Sequence, residues 1–275
     1  MKKQFRSYNV KTIETPTTIE VWEYIDNSVF YTVNVGDKEP IKCDQADDST
    51  TKVEKSASTH YDALKRKQKH YEEMRWFIAR IVDCNFDDNT KFMTLTFKEN
   101  VQDINYTNYE FNKFIKRLNF HIYHVKKQQL KYIAIWEKQK RGAIHYHIVF
   151  FSLPFIKINQ LKQIWGHGFV KLNKVDVDSK DNRGRYISKY FSKDIDIKEH
   201  KQKSFFKSQN LIKPITTRMT RQELFDFSTE NVVFTKEYTR TLPYLGDDPD
   251  VGLKYGSVRY TKIRKGVQNA DDNKS

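Results

Sequence analysis

Cysteine is nearly absent from this sequence of 275 residues: Cys43 and Cys84 stand alone in dissimilar surroundings. That excludes a disulfide framework and a cysteine metal cluster, and it fits a reducing cytoplasm. Glycine is scarce, and none of the nine glycines belongs to a Gly-x-x-x-x-Gly-Lys-Ser/Thr pattern, so the chain carries no recognisable phosphate-binding loop. Long apolar runs are missing as well, with no stretch approaching the ~18 residues of a membrane span. The basic start Met1-Lys2-Lys3-Gln4-Phe5-Arg6 is not followed by an apolar h-region, so neither secretion nor membrane insertion is expected. Acidic residues are the minority, 35 against 49 Lys and Arg, giving a net charge of +14. A pI near 9.5 favours polyanionic partners, nucleic acid before membrane. The length suits one large domain or two small ones.

Residues 18 to 34 read as two strands about Asp26-Asn27-Ser28, a hairpin, and Gly36 to Thr59 is a polar linker. This divides the chain into an amino-terminal hairpin and linker over 1–57, a central domain over 58–207 and a carboxy-terminal extension over 208–275. In the central part, Leu64, Tyr71, Met74, Phe77, Ile78 and Ile81 recur at helical spacing over Tyr61 to Asp83. Lys91 to Phe97 alternates as a strand with one face towards a site. Phe111, Phe114, Ile115 and Leu118 form one stripe of a helix over Asn108 to Phe120. Strands follow over 131–137 and 144–151, a helix over 157–165, a strand over 169–177 and a helix from Tyr186 to Lys193. Beyond Ser204 the pattern weakens, with a loop over 208–214, a short helix over 222–227 and a strand over 232–238. Antiparallel strands with interposed helices and no βαβ alternation predict an α+β fold, in which helices flank an antiparallel sheet carrying a His-x-His strand.

That strand is Ile144-His145-Tyr146-His147-Ile148-Val149-Phe150-Phe151. Its period of two sends His145 and His147 to one face and Tyr146 and Ile148 to the other, where they pack. Glu137 ends the neighbouring strand, and a hairpin through Lys138-Gln139-Lys140-Arg141-Gly142 brings it beside His145. Two imidazoles and a carboxylate leave coordination positions open for water and phosphate oxygens, which suits a Lewis acid. Mn²⁺ or Mg²⁺ is the expected ion, although imidazoles also admit Fe, Ni or Zn. A cupin-type site would need a glutamate where Phe150 and Phe151 stand, and an iron-oxygenase triad would need His-x-Asp/Glu. His121 and His124 fit cationic capping of a helix end. His167, between two glycines, is a candidate to line the site.

Tyr186, Lys189, Tyr190 and Lys193 fall at i, i+3, i+4 and i+7, placing two phenols and two ammonium groups on one helix face. A phenol with a pKa near about 10 attacks a phosphodiester only when a neighbouring cation or metal stabilises its ionised form, and Lys189 lies one turn from Tyr186.

With Phe92-Met93-Thr94-Leu95-Thr96-Phe97, Gly142 to Phe150, and Tyr186-Ile187-Ser188-Lys189-Tyr190 in this order, the chain resembles the HUH endonucleases. The likeness is to the two-tyrosine rolling-circle replication initiators of bacterial plasmids and single-stranded DNA phages. Histidines before tyrosine is the initiator order, whereas conjugative relaxases have the tyrosine first. Trp165-Gly166-His167-Gly168-Phe169-Val170 is similar to a segment between motifs in the bacterial branch, and the resemblance spans about residues 60 to 215.

The resemblance implies that His145, His147 and Glu137 hold a divalent ion at the scissile phosphate. It further implies that Tyr186 attacks, leaving a 5′-phosphotyrosyl link and a free 3′-hydroxyl, and that Tyr190 performs the second transfer. Lys138, Lys140, Arg141, Arg185 and Lys193 are the expected phosphate contacts on single-stranded or hairpin origin DNA. Without a phosphate-binding loop, strand separation would fall to a separate helicase. Rival readings are a transposase with the same chemistry, a DNA-binding protein without catalysis, and a metal-dependent hydrolase without a covalent intermediate.

Overall fold

A computed structural model describes residues 3–25, 29–34, 60–175, 205–220, 231–241 and 255–265. The chain forms two units: Glu54–Ile212 is continuous, and Met1–Val53 joins Lys213–Ser275 in the other. Among the described residues no helix is long and apolar enough to cross a membrane.

The central unit is α+β, as the sequence predicts. Its elements are α1 (His60–Asn85), β5 (Lys91–Phe97), α2 (Ile104–Tyr123), β6 (Lys131–Lys138), β7 (Ile144–Phe151), α3 (Ile158–Trp165), β8 (Gly168–Lys174) and β9 (Phe206–Lys207). The strands form one antiparallel sheet in the order β8-β5-β7-β6-β9. Strand alternation sorts side chains to two faces. One face carries Met93, Leu95, Ala134, Trp136, Tyr146, Ile148 and Phe150, packed against Phe111, Phe114 and Leu118 of α2 and Leu161 and Trp165 of α3. Phe111 stacks on Tyr146 with ring centroids 4.5 Å apart. The Tyr146 hydroxyl donates to Asn108 Oδ1 at 2.7 Å, and burial raises its pKa. On the other face Ile133, Ile135, Val149 and Phe151 pack with Ile78, Ile81 and Val82 of α1.

The apolar stripe of α2 matches the sequence pattern, but the helix begins four residues earlier than Asn108. The Asp103 side chain accepts from the Asn105 and Tyr106 amides at 2.8 and 3.3 Å, a cap that starts the helix ahead of its stripe. His124 ends it in the left-handed region. Past that cap, buried Asn119 ties down the connection to β6. Its Nδ2 donates to the Val125 and Lys127 carbonyls at 2.9 and 3.0 Å, and its Oδ1 accepts from the Gln129 and Leu130 amides at 2.7 and 3.0 Å. Asn119→Leu keeps the volume and orphans four backbone groups, so we expect it to cost about 3 kcal/mol in urea unfolding. A loss under about 1 kcal/mol would show that water replaces the amide.

The second unit contains β1 (Lys3–Tyr8), β2 (Val10–Glu14), β3 (Thr18–Tyr24), β4 (Val29–Asn34), β10 (Ile215–Met219), β11 (Val232–Thr241) and β12 (Tyr255–Arg264). Five of them form an antiparallel sheet ordered β10-β2-β3-β12-β11, while β1 pairs with β4. Residues 18–24 and 29–34 are therefore both strands, but not partners in a hairpin. The tight turn is instead between β2 and β3, where Thr15 Oγ1 donates to the Thr18 carbonyl and accepts from the Thr18 amide, each at 3.1 Å. Nearest-neighbour reading assigned β3 to β4 because its true partner, β12, lies at the far end of the sequence. The strand over 232–238 is present and longer, and the helix expected over 222–227 lies outside the described residues.

Candidate metal centre

The β6–β7 hairpin sets the centre. Gln139 and Gly142 close its turn through Gln139 N–H to the Ala143 carbonyl and Gly142 N–H to the Gln139 carbonyl, both at 2.8 Å. Gly142 sits at φ +89°, where a side chain would be strained. The resulting register opposes Glu137 to His145 and Ile135 to His147. The two histidines and Glu137 thus occupy the end of the sheet face whose other end is packed beneath α1.

Three donor atoms converge there, all within 4.8 Å of one another. Glu137 Oε1 lies 2.5 Å from His145 Nε2 and 2.7 Å from His147 Nε2. His145 Nε2 is buried yet makes no hydrogen bond of acceptable direction to that oxygen. An inward-facing nitrogen without a directed partner, beside a second imidazole and a carboxylate, is what a cation-binding set requires. The residues present fit a divalent ion.

The neighbouring strand supplies supports that the sequence reading did not name. Thr94 faces His147 across the β5–β7 ladder, with its Oγ1 3.3 Å from His147 Nδ1, and Phe92 stacks on the same imidazole at 5.5 Å between centroids. The signal was present, since Thr94 and Thr96 are the small polar positions of the alternating β5. One strand further, Lys171 opposes Thr94 and Phe169 opposes Thr96, so an exposed cation and an aromatic residue that is 59 % exposed share the face of the centre.

An open cleft of about 480 Å³ reaches Thr96, Lys98, Arg141, Lys162 and Phe169. Arg141, expected as a phosphate contact, is there, but its guanidinium also donates to the Phe97 carbonyl at 2.9 Å and to Gln139 Oε1 at 3.0 Å. It ties the hairpin turn to β5. Lys138 and Lys140 are exposed at the same turn. Tyr186, Lys189, Tyr190, Arg185 and Lys193 lie outside the described residues.

His167 does not join the centre. It turns towards α2, where its Nε2 is 2.9 Å from Glu110 Oε2. Glu110 is buried, and its carboxyl is held below the usual value chiefly by the hydrogen bond from Lys113 at 2.9 Å, with His167 adding to it against the opposing effect of burial. The glycines around His167 serve the backbone. Gly166 ends α3 in the left-handed region, and a Cβ on Gly168 would come within 2.5 Å of the Thr96 carbonyl oxygen.

Residues 90–195 match a family of replication-associated proteins, the one described by its ORF2 members. A curated relative, the phasyl DNA replicon protein arp of Escherichia coli, is 26 % identical over an alignment covering 47 % of this chain and 52 % of the relative. The chain therefore spans about half the length of that protein. No solved structure matches. The matched segment contains β5, the Glu137–His145–His147 centre and the tyrosine motif, and residues 90–195 of this chain belong to the Rep-type replication-associated proteins.

Proposed function

We propose that the protein initiates replication by nicking single-stranded DNA at an origin through tyrosine attack and later rejoining the strand. The observation that carries this reading is the convergence of Glu137, His145 and His147 inside the segment shared with replication-associated proteins. A divalent cation held by these three, Mn²⁺ or Mg²⁺, would polarise the scissile phosphate and offset its charge.

The remaining chemistry belongs to the chain. The Tyr186 phenolate attacks phosphorus, the bond from phosphorus to the 3′-oxygen breaks, and that oxygen leaves as a 3′-hydroxyl after taking a proton. The 5′ end stays on Tyr186 as a phosphodiester, which conserves the bond energy for rejoining. Lys189 stabilises the phenolate, and Tyr190 serves the second transfer. Lys138, Lys140, Arg185 and Lys193 bind backbone phosphates, and Arg141 does so while holding its turn. Unwinding falls to a separate helicase.

The test is a denaturing gel of labelled single-stranded DNA tiled across the replicon, with Mn²⁺, comparing wild type, Tyr186→Phe and Tyr190→Phe. A protein-linked band that disappears in Tyr186→Phe is the expected result. Cleavage without any linked band would replace this reading with a hydrolase, and binding without cleavage on every tile with a DNA-binding protein.

Thr94→Val probes the support of His147. Losing the hydroxyl beside Nδ1 frees the ring to rotate, and we expect divalent-cation affinity to fall about tenfold with little change in melting temperature. Calorimetric titration with Mn²⁺ measures it, and unchanged affinity would mean that Phe92 stacking alone fixes the ring.

A further inference from the structure

The two faces of the β10-β2-β3-β12-β11 sheet differ in chemistry. Directly opposed residues of an antiparallel ladder share a face. One row crosses all five strands as Arg218, Lys11, Trp22, Tyr260 and Lys236. The adjoining rows of the same face add Lys262 and Phe234 on one side and Tyr238 on the other, and strand periodicity adds Arg240 and Arg264. Among the described residues of these five strands, Glu20 is this face's only carboxylate, and it is buried. The acids gather on the opposite face, where Glu237 and Glu23 meet Arg259 at 2.7 and 3.7 Å and Glu14 pairs with Lys265. There they surround the apolar cluster of Val10, Val21, Met219 and Ile263.

The aromatic groups on the basic face form a connected strip. Trp22 and Tyr260 have ring centroids 5.1 Å apart, Phe234 and Tyr260 6.2 Å, and the Trp22 indole N–H donates to the Tyr238 hydroxyl. Lys11 Nζ lies 5.9 Å from the Trp22 ring centroid. Tyr8 and Val29 pack over the Tyr24–Val258 end of the face. At the other edge Phe234 is 50 % and Tyr238 38 % exposed, and every residue from Asn231 to Arg240 is exposed.

Rings that present a face to solvent, flanked by cations at strand spacing, match a backbone carrying one phosphate per unpaired, stackable base. A duplex conceals its base faces and could use only the cations. We propose that this sheet face is a single-stranded DNA-binding surface, on a different unit from the metal centre. The inference does not depend on the nicking chemistry.

The experiment is fluorescence anisotropy of labelled oligothymidine with the full chain in EDTA, with a duplex oligonucleotide in parallel. The double variant Phe234→Ala/Tyr238→Ala should bind oligothymidine about tenfold more weakly, with duplex affinity little changed. Thr239→Ala, on the opposite face of β11, should bind as wild type. Lys236→Glu/Arg240→Glu should weaken both ligands and reduce the salt dependence. Wild-type affinity in the aromatic variant would overturn the proposal, as would a charge variant that weakens duplex binding while the aromatic variant affects nothing. If the double variant melts early, the single Phe234→Ala decides. Adduct formation with Mn²⁺ is scored separately on each protein: a wild type that makes no adduct but shows the aromatic effect leaves this surface standing and removes the nicking mechanism alone.

Discussion

Replacing Glu137 by glutamine is expected to weaken Mn²⁺ binding by at least about a hundredfold and to abolish the protein-linked DNA band at limiting metal. Loss of an outer partner of a metal ligand typically costs about 10–100-fold, and Glu137 is both a donor and the charge of the set. The substitution is nearly isosteric, so shape cannot explain the loss. Glu137 is partly exposed at a strand end and belongs to no apolar cluster, so melting should change by only a few degrees. Its oxygen is shared between two imidazoles at 2.5 and 2.7 Å. Without that oxygen the two rings lose their common partner as well as the cation. His147→Ala should give the same loss of adduct. Calorimetry with Mn²⁺ and the denaturing gel read the two effects independently, and a Glu137→Gln protein that still binds Mn²⁺ as wild type would end the three-ligand reading.

Trp165→Ala should be the most damaging single truncation in the central unit, at about 3–5 kcal/mol in urea unfolding. Trp165 is fully buried, with its ring 4.9 Å from Phe97 and 5.7 Å from Phe114 between centroids. Its indole N–H donates to the Thr96 carbonyl at 3.2 Å. It closes α3 immediately before Gly166, after which the Lys98 amide donates to the His167 carbonyl at 2.8 Å and Gly168 lies against β5. The cavity would open beneath the strand that places Thr94 against His147, so activity should fall beyond the change in stability. Trp165→Phe fills most of the space and loses the hydrogen bond, and about 1–1.5 kcal/mol is expected. A Trp165→Ala cost below about 1 kcal/mol would mean that the surrounding rings collapse into the space.

The centre was legible because its geometry is local. Alternation within 144–151 put His145 and His147 on one face, and a short turn fixed which residue of the preceding strand met them. Thr94 was half-legible: β5 showed a polar edge, but only the ladder to β7 tells which threonine faces His147. His167 misled, since proximity to glycines says nothing about which way a side chain turns, and buried Glu110 decided it. The second unit was hardest to read. β10 and β12 carry no strong alternating apolar pattern, and β12 mixes Arg259, Lys262 and Arg264 with small residues because one of its faces is basic. Its pairing with β3 joins opposite ends of the sequence, which no local period encodes.

That pairing sets a timetable for synthesis. β3 is complete when residue 24 is made, but its partner ends at Arg264. At roughly 5–20 residues per second, the early strands wait on the order of 10–50 s beside the ribosome with one ladder unfilled. Glu54–Ile212 is translated wholly within that interval, so the metal centre is assembled before the sheet that brackets it in sequence can close. A premature stop after residue 212 would accordingly release a finished centre attached to unpaired strands, with the aggregation hazard of open sheet edges.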